Sequence, residues 1–322
     1  MSKILIIGGA GFIGSHLTYE FIKDKHEVSV IDNNTQYFYP LSSASIKNME
    51  YRHNFLLKGA KIFRANTMDV NDLRRLVINL KPEHIVNLAS LPLAVTAVKK
   101  TEEAFSSILD SARNLMEIII DVSFLKNYVH ISSSMVYGDF QKDPNPENAS
   151  KDPIEIYGSM KLASEYLVKG YAQRFNFPLS IIRPSAAYGP VDNNYRVIQK
   201  FLESALRKEK IVANNPSTNK LDFTFIKDVV QGIKLATLTK QDKIEEFNIT
   251  RGESRSLEEV INIIKKYFPT TKFEIKQDKN IYPKRGTLDI SKAKKVLKFS
   301  PKFSLEDGIK NYIEFYKENK LI

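Results

Sequence analysis

The stretch KILIIGGAGFIGSHLTYEF, from Lys3 to Phe21, decides the fold of this chain. A short apolar run ends in three glycines spaced three apart, Gly8, Gly11 and Gly14, and a helix with apolar periodicity follows at once. A strand that runs directly into a helix leaves the first N–H groups of the helix unpaired, which favours an anion there. Glycines let the backbone approach a pyrophosphate, because a Cβ atom would hold it away. The stretch therefore predicts the phosphate-binding turn of a dinucleotide site.

The second strand ends in an acid, Asp32, at the distance from the glycines that this kind of site requires. A carboxylate here accepts hydrogen bonds from ribose hydroxyls and repels a 2′-phosphate. Asn33 and Asn34 follow, and neither can hold such a phosphate as an arginine would. The sequence therefore predicts NAD rather than NADP, with Phe12, Ile13 and Asn33 among the residues that contact it.

Composition restricts the class of protein. A chain of 322 residues exceeds what one hydrophobic core usually supports, so two lobes are expected. The net charge of +11 comes mostly from lysines spread along amphipathic helices, which favours a solvated surface over a nucleic-acid groove. The five histidines have no metal-ligand spacing, so no metal site is predicted. The absence of cysteine, of a signal-peptide pattern and of a long apolar run predicts a cytoplasmic protein without a membrane partner.

The order of the predicted elements indicates the architecture. Short apolar runs alternate with helical segments over the first half of the chain, which is typical of an α/β, Rossmann-type, doubly wound parallel sheet. We predict an NAD-binding domain at 1–183, a return of the chain to it near 221–240, and a smaller α+β lobe for the substrate at 184–322. The polar and aromatic segment 33–58 is interpreted as a loop, either over the adenosine or active site or as a plain surface insertion.

Further cofactor contacts are predicted where the later strands end. An acid and an apolar residue after the third strand can face the adenine, although the acid can equally cap the helix that follows. Small residues after the fourth strand leave room for a ribose and the pyrophosphate. The predicted contacts are Asp69, Val70, Leu88, Ala89, Ser90 and Pro184.

The predicted catalytic residues lie on one helix and at one strand end. In Tyr157–Gly–Ser–Met–Lys161 the spacing of four places the tyrosine and the lysine on one helical face. A nearby ammonium favours the phenolate form, so Tyr157 is predicted to act as a base near neutral pH. Ser133 comes from the end of the fifth strand and can hydrogen-bond the same substrate hydroxyl.

Taken together, the chain resembles the extended short-chain dehydrogenases/reductases of the nucleotide-sugar epimerase/dehydratase family. The resemblance implies hydride transfer between NAD and a sugar carbon, usually C4, of a nucleoside diphosphate sugar. It implies that Tyr157 is the base, that Lys161 holds the nicotinamide ribose and tunes Tyr157, and that Ser133 shares the hydroxyl proton. The resemblance rests on the segments GGAGFIG, NLASLP, SSSMVYG, YGSMK, RPSAAYGP, DFTFIKDVV and DISKAKKVLKFSPKFSLEDGI.

One departure from the family pattern bears on the reaction. Sugar 4,6-dehydratases of the family carry a glutamate, often after an aspartate, where this chain has Ser134 and Met135. Dehydration is therefore disfavoured, and a 4-epimerase is predicted. A 4-dehydrogenase that releases the keto sugar, for example from a GDP-heptose, and a catalytically retired NAD-binding regulator remain as alternatives.

Other departures fall on positions that handle the substrate. Ile108, Ala186 and Leu221 replace polar family residues, and Arg196 and Lys220 are candidates to compensate. Arg285 matches a late arginine of the family that binds the diphosphate bidentately, although a solvated surface arginine is the alternative. The predicted substrate contacts are Ser134, Met135, Ala186, Arg196, Lys220 and Arg285. The family also implies a homodimer built from the helix at 102–122 and the helix that carries Tyr157.

Overall fold

A computed structural model describes residues 1–240, 243–277 and 283–319. Its centre is a parallel sheet to which residues 1–184 contribute six strands. The strands are, in chain order, β1 Lys3–Ile7, β2 Glu27–Asp32, β3 Lys61–Arg64, β4 His84–Asn87, β5 Asn127–Ile131, β6 Leu179–Pro184, β7 Ala187–Tyr188, β8 Ile211–Asn214, β9 Lys220–Leu221, β10 Thr224–Phe225, β11 Ile244–Ile249, β12 Arg255–Ser256 and β13 Phe273–Lys276.

The central sheet has the order β11-β6-β5-β4-β1-β2-β3, and each neighbouring pair is parallel. The strand order reverses between β1 and β4, which are neighbours although β2 and β3 separate them in sequence. The predicted Rossmann-type doubly wound sheet is confirmed. In such a sheet the ligand crevice lies beyond the carboxyl ends of the strands at this reversal.

Helices cover both faces of the sheet. The α-helices are α1 Phe12–Lys23, α2 Ser43–Tyr51, α3 Val70–Leu80, α4 Ala94–Lys99, α5 Thr101–Phe105, α6 Ser111–Ile119, α7 Ile156–Phe175, α8 Val197–Leu206, α9 Ile226–Leu238, α10 Leu257–Tyr267, α11 Ser291–Leu297 and α12 Leu305–Glu318. Alternate residues of β1 point to opposite faces, so Ile4 and Ile6 join the core beneath α1 and α9. Leu5 and Ile7 join the core beneath α3, α6 and α7.

Of two sequence-based expectations about local structure, one was wrong and one was met with a local variation. The segment 33–58 is not all loop, because it contains α2, capped by Ser42, and a wide π-type turn at Arg52–Leu56. Its polar composition hid this helix, whose buried side is small and polar. The helix predicted at 102–122 is present over 101–119, where α5 continues through a π-helical turn at Ser106–Asp110 into α6 with helical backbone dihedrals at both junctions.

The second half of the chain forms smaller paired strands and helices beside the sheet. β8 pairs with β13, β9 with β12 and β7 with β10, while α8, α10 and α12 supply apolar residues to the shared core. The chain comes back to the sheet through α9, within the stretch 221–240, and then β11 pairs with β6. Of the helices in the described ranges, none is long and apolar enough to cross a membrane.

Candidate active site

A cavity of about 920 Å³ lies at the carboxyl edge of the central sheet. The turn after β1, the ends of β2, β4 and β5, and the segment after β6 contribute to its walls. It also reaches the start of α7, where Tyr157 and Lys161 line it. The cavity therefore joins the predicted cofactor turn to the predicted catalytic residues.

The glycine turn brings backbone segments too close together for side chains. Gly8 has a φ of +77°, and a Cβ atom at Gly14 would lie 2.4 Å from the carbonyl oxygen of Gly8. Asp32 stabilises this turn, since its Oδ2 accepts a hydrogen bond of 2.9 Å from Ala10 N. Its Oδ1 accepts one of 2.7 Å from Asn34 N. A side-chain-free turn at the start of α1, next to an acid at the end of β2, fits the pyrophosphate and ribose of NAD.

Substitution of Gly14 by Ala is expected to damage this turn. The added methyl group meets the Gly8 carbonyl at a distance that no real contact allows, so backbone must move at a cost of about 1–3 kcal/mol. NAD binding measured by calorimetry should weaken together with stability. Gly170→Ala is the matched control, because a Cβ atom at Gly170 meets nothing within 4 Å. Equal NAD affinities of the two variants would contradict the importance of the turn.

Tyr157, the predicted base, lies one residue inside the start of α7. The side chains of Ser133, at the end of β5, and Ser90, after β4, line the same cavity and act on its hydroxyl. Burial raises the pKa of Tyr157, whereas the positive charge of Arg196 and the two serine side chains oppose that rise. Sequence reasoning assigned Ser90 to the cofactor alone, and the fold also places it on the catalytic hydroxyl.

Lys161 is buried and faces the sheet. Its Nζ donates a hydrogen bond of 2.9 Å to Ile131 O and lies 5.9 Å from the centre of the Tyr157 ring. Burial lowers the pKa of Lys161 to about 8, and Glu165, one turn further along α7, acts in the opposite direction. The cation that most opposes the raised pKa of Tyr157 is therefore Arg196, whereas the sequence pointed to Lys161.

The lowered pKa of Lys161 predicts a pH-dependent stability. Between about pH 8 and the ordinary lysine value near 10.4, the unfolded chain holds a proton at this position that the folded chain has lost. The free energy of unfolding should therefore rise with pH across this interval. Urea unfolding of the wild type and of Lys161→Met at several pH values isolates the contribution, which should be missing from the variant. If the free energies of unfolding of the wild type and Lys161→Met differed by the same amount at every pH, the predicted contribution of Lys161 would be contradicted.

Two further arginines line the cavity. Arg196 is held by Asp192, whose Oδ1 and Oδ2 lie 2.7 and 2.8 Å from its Nη1, and it packs over the ring of Phe12. Arg285 donates from Nη1 to Ser134 Oγ at 3.3 Å and lies 3.3 Å from Met135 Sδ. These arginines supply positive charge on the substrate side of the cavity.

Most of the predicted site residues meet in this cavity, but four do not line it. Asp69 instead caps α3, since its Oδ1 accepts a hydrogen bond of 3.0 Å from Asp72 N. Val70 begins that helix, Ser134 is buried behind the wall, and Lys220 is exposed on β9. The residues that the structure does bring to the cavity are Gly8, Gly11, Phe12, Ile13, Gly14, Asp32, Asn33, Leu88, Ala89, Ser90, Ser133, Met135, Tyr157, Lys161, Pro184, Ala186, Arg196 and Arg285.

Sequence reasoning missed several residues of the cavity wall. Thr67 and Met68 lie where Asp69 and Val70 were predicted to face the cofactor. Tyr37 and Arg52 enter from the segment 33–58. The Ser42 cap was the only local signal for a helix in that segment. Within the described ranges, no group of three or more His, Cys, Asp or Glu side chains is arranged to hold a metal ion.

A buried ionic network lies behind the catalytic helix. Arg183, at the end of β6, donates from Nε and Nη2 to the two oxygens of Glu165 on α7, at 2.8 and 2.7 Å. Its Nη2 also donates to Glu246 Oε2 at 2.5 Å, and its Nη1 donates to the Tyr137 hydroxyl at 2.9 Å. One guanidinium thus ties the helix of Tyr157 and Lys161 to the segment that follows Ser133.

The fold and the site define an extended short-chain dehydrogenase/reductase with NAD as its cofactor. The family model for GDP-mannose 4,6 dehydratase matches residues 5–312. The chain belongs to this family, which is part of the superfamily of NAD-dependent epimerases and dehydratases.

Individual relatives match the chain over nearly its full length. An uncharacterised UDP-glucose epimerase of Bacillus subtilis, YtcB, is 31% identical over 97% of this chain and 97% of its own. The UDP-glucuronic acid 4-epimerase of Bacillus cereus, solved with UDP-glucuronic acid and NAD, is 27% identical, with a TM-score of 0.88 over 98% of this chain and 99% of its own. The UDP-glucose 4-epimerase of Thermotoga maritima, solved with UDP-glucose, is 25% identical, with a TM-score of 0.87 over 98% and 99% of the two chains.

Proposed function

We propose that this protein is a 4-epimerase of a uridine diphosphate sugar. The observation that carries the proposal is the arrangement of Tyr157 with Ser133 and Ser90, next to the glycine turn and one helical turn from Lys161. This arrangement can remove a proton from a sugar hydroxyl and later give it back. The similarity to UDP-sugar 4-epimerases supports C4 as the reacting carbon and uridine as the base.

The residues divide the work in the following way. The Tyr157 oxygen takes the proton of the C4 hydroxyl, and Ser133 keeps that hydroxyl oriented by a hydrogen bond. Arg196 favours the ionised form of Tyr157 and stabilises negative charge that develops beside it. NAD held by the glycine turn and Asp32 would supply a hydride acceptor for C4 and, once reduced, a hydride donor. The sugar must rotate between the two transfers so that the hydride comes back to the opposite face.

The residues that line the cavity do not favour dehydration of the sugar. Elimination of water from a keto sugar needs an acid and a base close to the sugar ring. Among the described residues that line the cavity, the acids are Asp32, which holds the glycine turn, and Glu103, which pairs with Lys100. Met135 stands where the dehydratases of the family carry their acid, and an arginine lies against its sulfur.

The test is product analysis with UDP-, GDP- and dTDP-sugars in the presence of NAD. The proposal expects a product of unchanged mass from a UDP-sugar, with an inverted proton coupling at C4, and no such product from Tyr157→Phe. A product that lacks two hydrogens, with stoichiometric reduction of NAD, would make the enzyme a 4-dehydrogenase. Loss of water would overturn the interpretation of Met135. NAD binding without any turnover of these sugars would favour the retired regulator.

We also propose that two copies associate through the faces of α4, α5 and α7. Large apolar side chains are exposed on these helices, among them Val95 at 65%, Val98 at 59%, Phe105 at 48% and Tyr166 at 64%. Exposed apolar side chains that cluster on adjacent helices mark an interaction surface.

Tyr166→Glu is expected to convert the proposed dimer into monomers, because it places a charge among apolar side chains that would face the partner. Sedimentation velocity at micromolar concentration measures the change. Tyr267→Glu, an exposed position on α10, is the control and should leave the dimer intact. A wild type that sediments as a monomer would refute the proposal.

A further inference from the structure

Three cations of the described residues have buried side chains, and they differ in how their charge is balanced. Arg52 is 6% exposed, Lys161 3% and Arg183 0%. Arg183 has carboxylate partners in Glu165 and Glu246. The two others form no ion pair with any described residue, and both line the active-site cavity. A buried charge without a partner is costly, so a ligand that enters the cavity is the natural counterion.

Arg52 lies at the glycine turn, away from the catalytic tyrosine. Its Nη1 donates a hydrogen bond of 3.1 Å to Ala10 O, inside the turn, and its Nε donates one of 3.1 Å to Val191 O. Its Nη2 makes no hydrogen bond to any described residue, although a guanidinium has five N–H donors. The guanidinium is thus fixed at one edge while donors remain available for a ligand.

The acids closest to Arg52 are already engaged. Asp32 and Asp192 act on it through space, without direct contact. Both oxygens of Asp32 accept backbone N–H groups, and both oxygens of Asp192 face Arg196. Neither acid therefore pairs directly with the guanidinium of Arg52, and both stabilise its charge only at a distance.

We infer that Arg52 is a binding residue for the pyrophosphate of NAD, brought to the glycine turn by the segment 33–58. The contact with Ala10 O places the guanidinium beside the turn where the dinucleotide phosphates bind, and a guanidinium matches phosphate oxygens in charge and geometry. The segment 33–58 thereby acquires a function in cofactor binding. Asn48 anchors the same segment to the loop after β7, since its Nδ2 donates a hydrogen bond of 2.9 Å to Asn193 Oδ1.

Calorimetric titration with NAD, ADP-ribose, adenosine and UDP tests the assignment without turnover. Arg52→Met should weaken NAD and ADP-ribose by the same factor, roughly 10- to 100-fold, as expected when a hydrogen bond to a charged group is lost. Adenosine, which has no phosphate, and UDP, which probes the substrate side, should bind as they do to the wild type. The assignment would be overturned if the affinity for adenosine fell as much as that for NAD. It would also be overturned if only the affinity for UDP fell, because Arg52 would then bind the diphosphate of the substrate.

Two further variants distinguish the effect of the Arg52 charge from the effect of the position of the segment 33–58. Asn48→Ala loosens the same segment without removing a charge, and it should leave the affinity for NAD within about twofold of the wild type. A loss of NAD affinity as large as that of Arg52→Met would mean that only the position of the segment matters.

Arg52→Lys keeps the charge and serves if Arg52→Met does not fold. Its affinity for ADP-ribose should be less than tenfold below that of the wild type. A loss for adenosine equal to that for ADP-ribose in Arg52→Lys would again refute the inference.

Discussion

Tyr157→Phe is expected to lower kcat by about 10²- to 10⁴-fold, the range that a positioned acid or base contributes. The substitution removes the oxygen on which Ser133 and Ser90 act but keeps the ring that fills the same space. NAD affinity should stay close to that of the wild type, because the glycine turn and Asp32 are unchanged. Single-turnover reduction of NAD, followed by absorbance, measures the chemical step directly.

Tyr171→Phe provides the matched control for this experiment. It lies on the same helix, α7, and its ring stacks on Phe175 at the far end from the cavity. Its kcat should equal that of the wild type. If Tyr157→Phe reduced NAD as fast as Tyr171→Phe, Tyr157 would not be the base, and the proposed epimerisation would need another residue.

Arg183→Met is expected to cost about 3–5 kcal/mol in the free energy of unfolding, as is usual when one partner of a buried ion pair is removed. The variant leaves Glu165, which is fully buried, without its bidentate partner, and Glu246 loses a contact as well. Urea unfolding measures the loss. Activity should fall too, because the same guanidinium holds the Tyr137 hydroxyl in the segment after Ser133.

Arg75→Met is the control for the expected loss in the free energy of unfolding. Arg75 pairs with Asp72 at the surface, where an ion pair contributes at most about 1 kcal/mol. The double variant Arg183→Met with Glu165→Leu should recover part of the lost stability, because it removes the stranded carboxylate. The buried pair would lose its assigned importance if Arg183→Met cost no more than Arg75→Met.

The sequence alone determined those features in which neighbouring residues act on each other. The glycine turn, the acid that ends β2 and the tyrosine and lysine four residues apart are fixed by backbone geometry over a few positions. The alternation of apolar strands and amphipathic helices fixed the parallel sheet, whose connections restrict the topology to a few arrangements. The fold class, the choice of NAD and most of the predicted site residues that line the cavity follow from such short-range patterns.

Only the tertiary structure decided which distant side chains meet. Arg52 is one polar residue in a polar segment, and its buried position beside Ala10 depends on how α2 packs between the glycine turn and the loop at Val191. The sequence left both an adenine contact and a helix cap open for Asp69, which are compatible with each other, and the structure shows the cap.

The pKa shifts of Tyr157 and Lys161 also depend on the tertiary structure. Sequence spacing places Lys161 next to Tyr157, but burial raises the pKa of the tyrosine and lowers that of the lysine. Arg196, brought in from the segment after β6, is the cation that opposes the rise for Tyr157. Burial and long-range charge pairs depend on the whole folded chain, because desolvation is set by every element packed around a group. Local spacing therefore singled out Tyr157 and Lys161 as candidates, and the packed fold set the direction in which their pKa values shift.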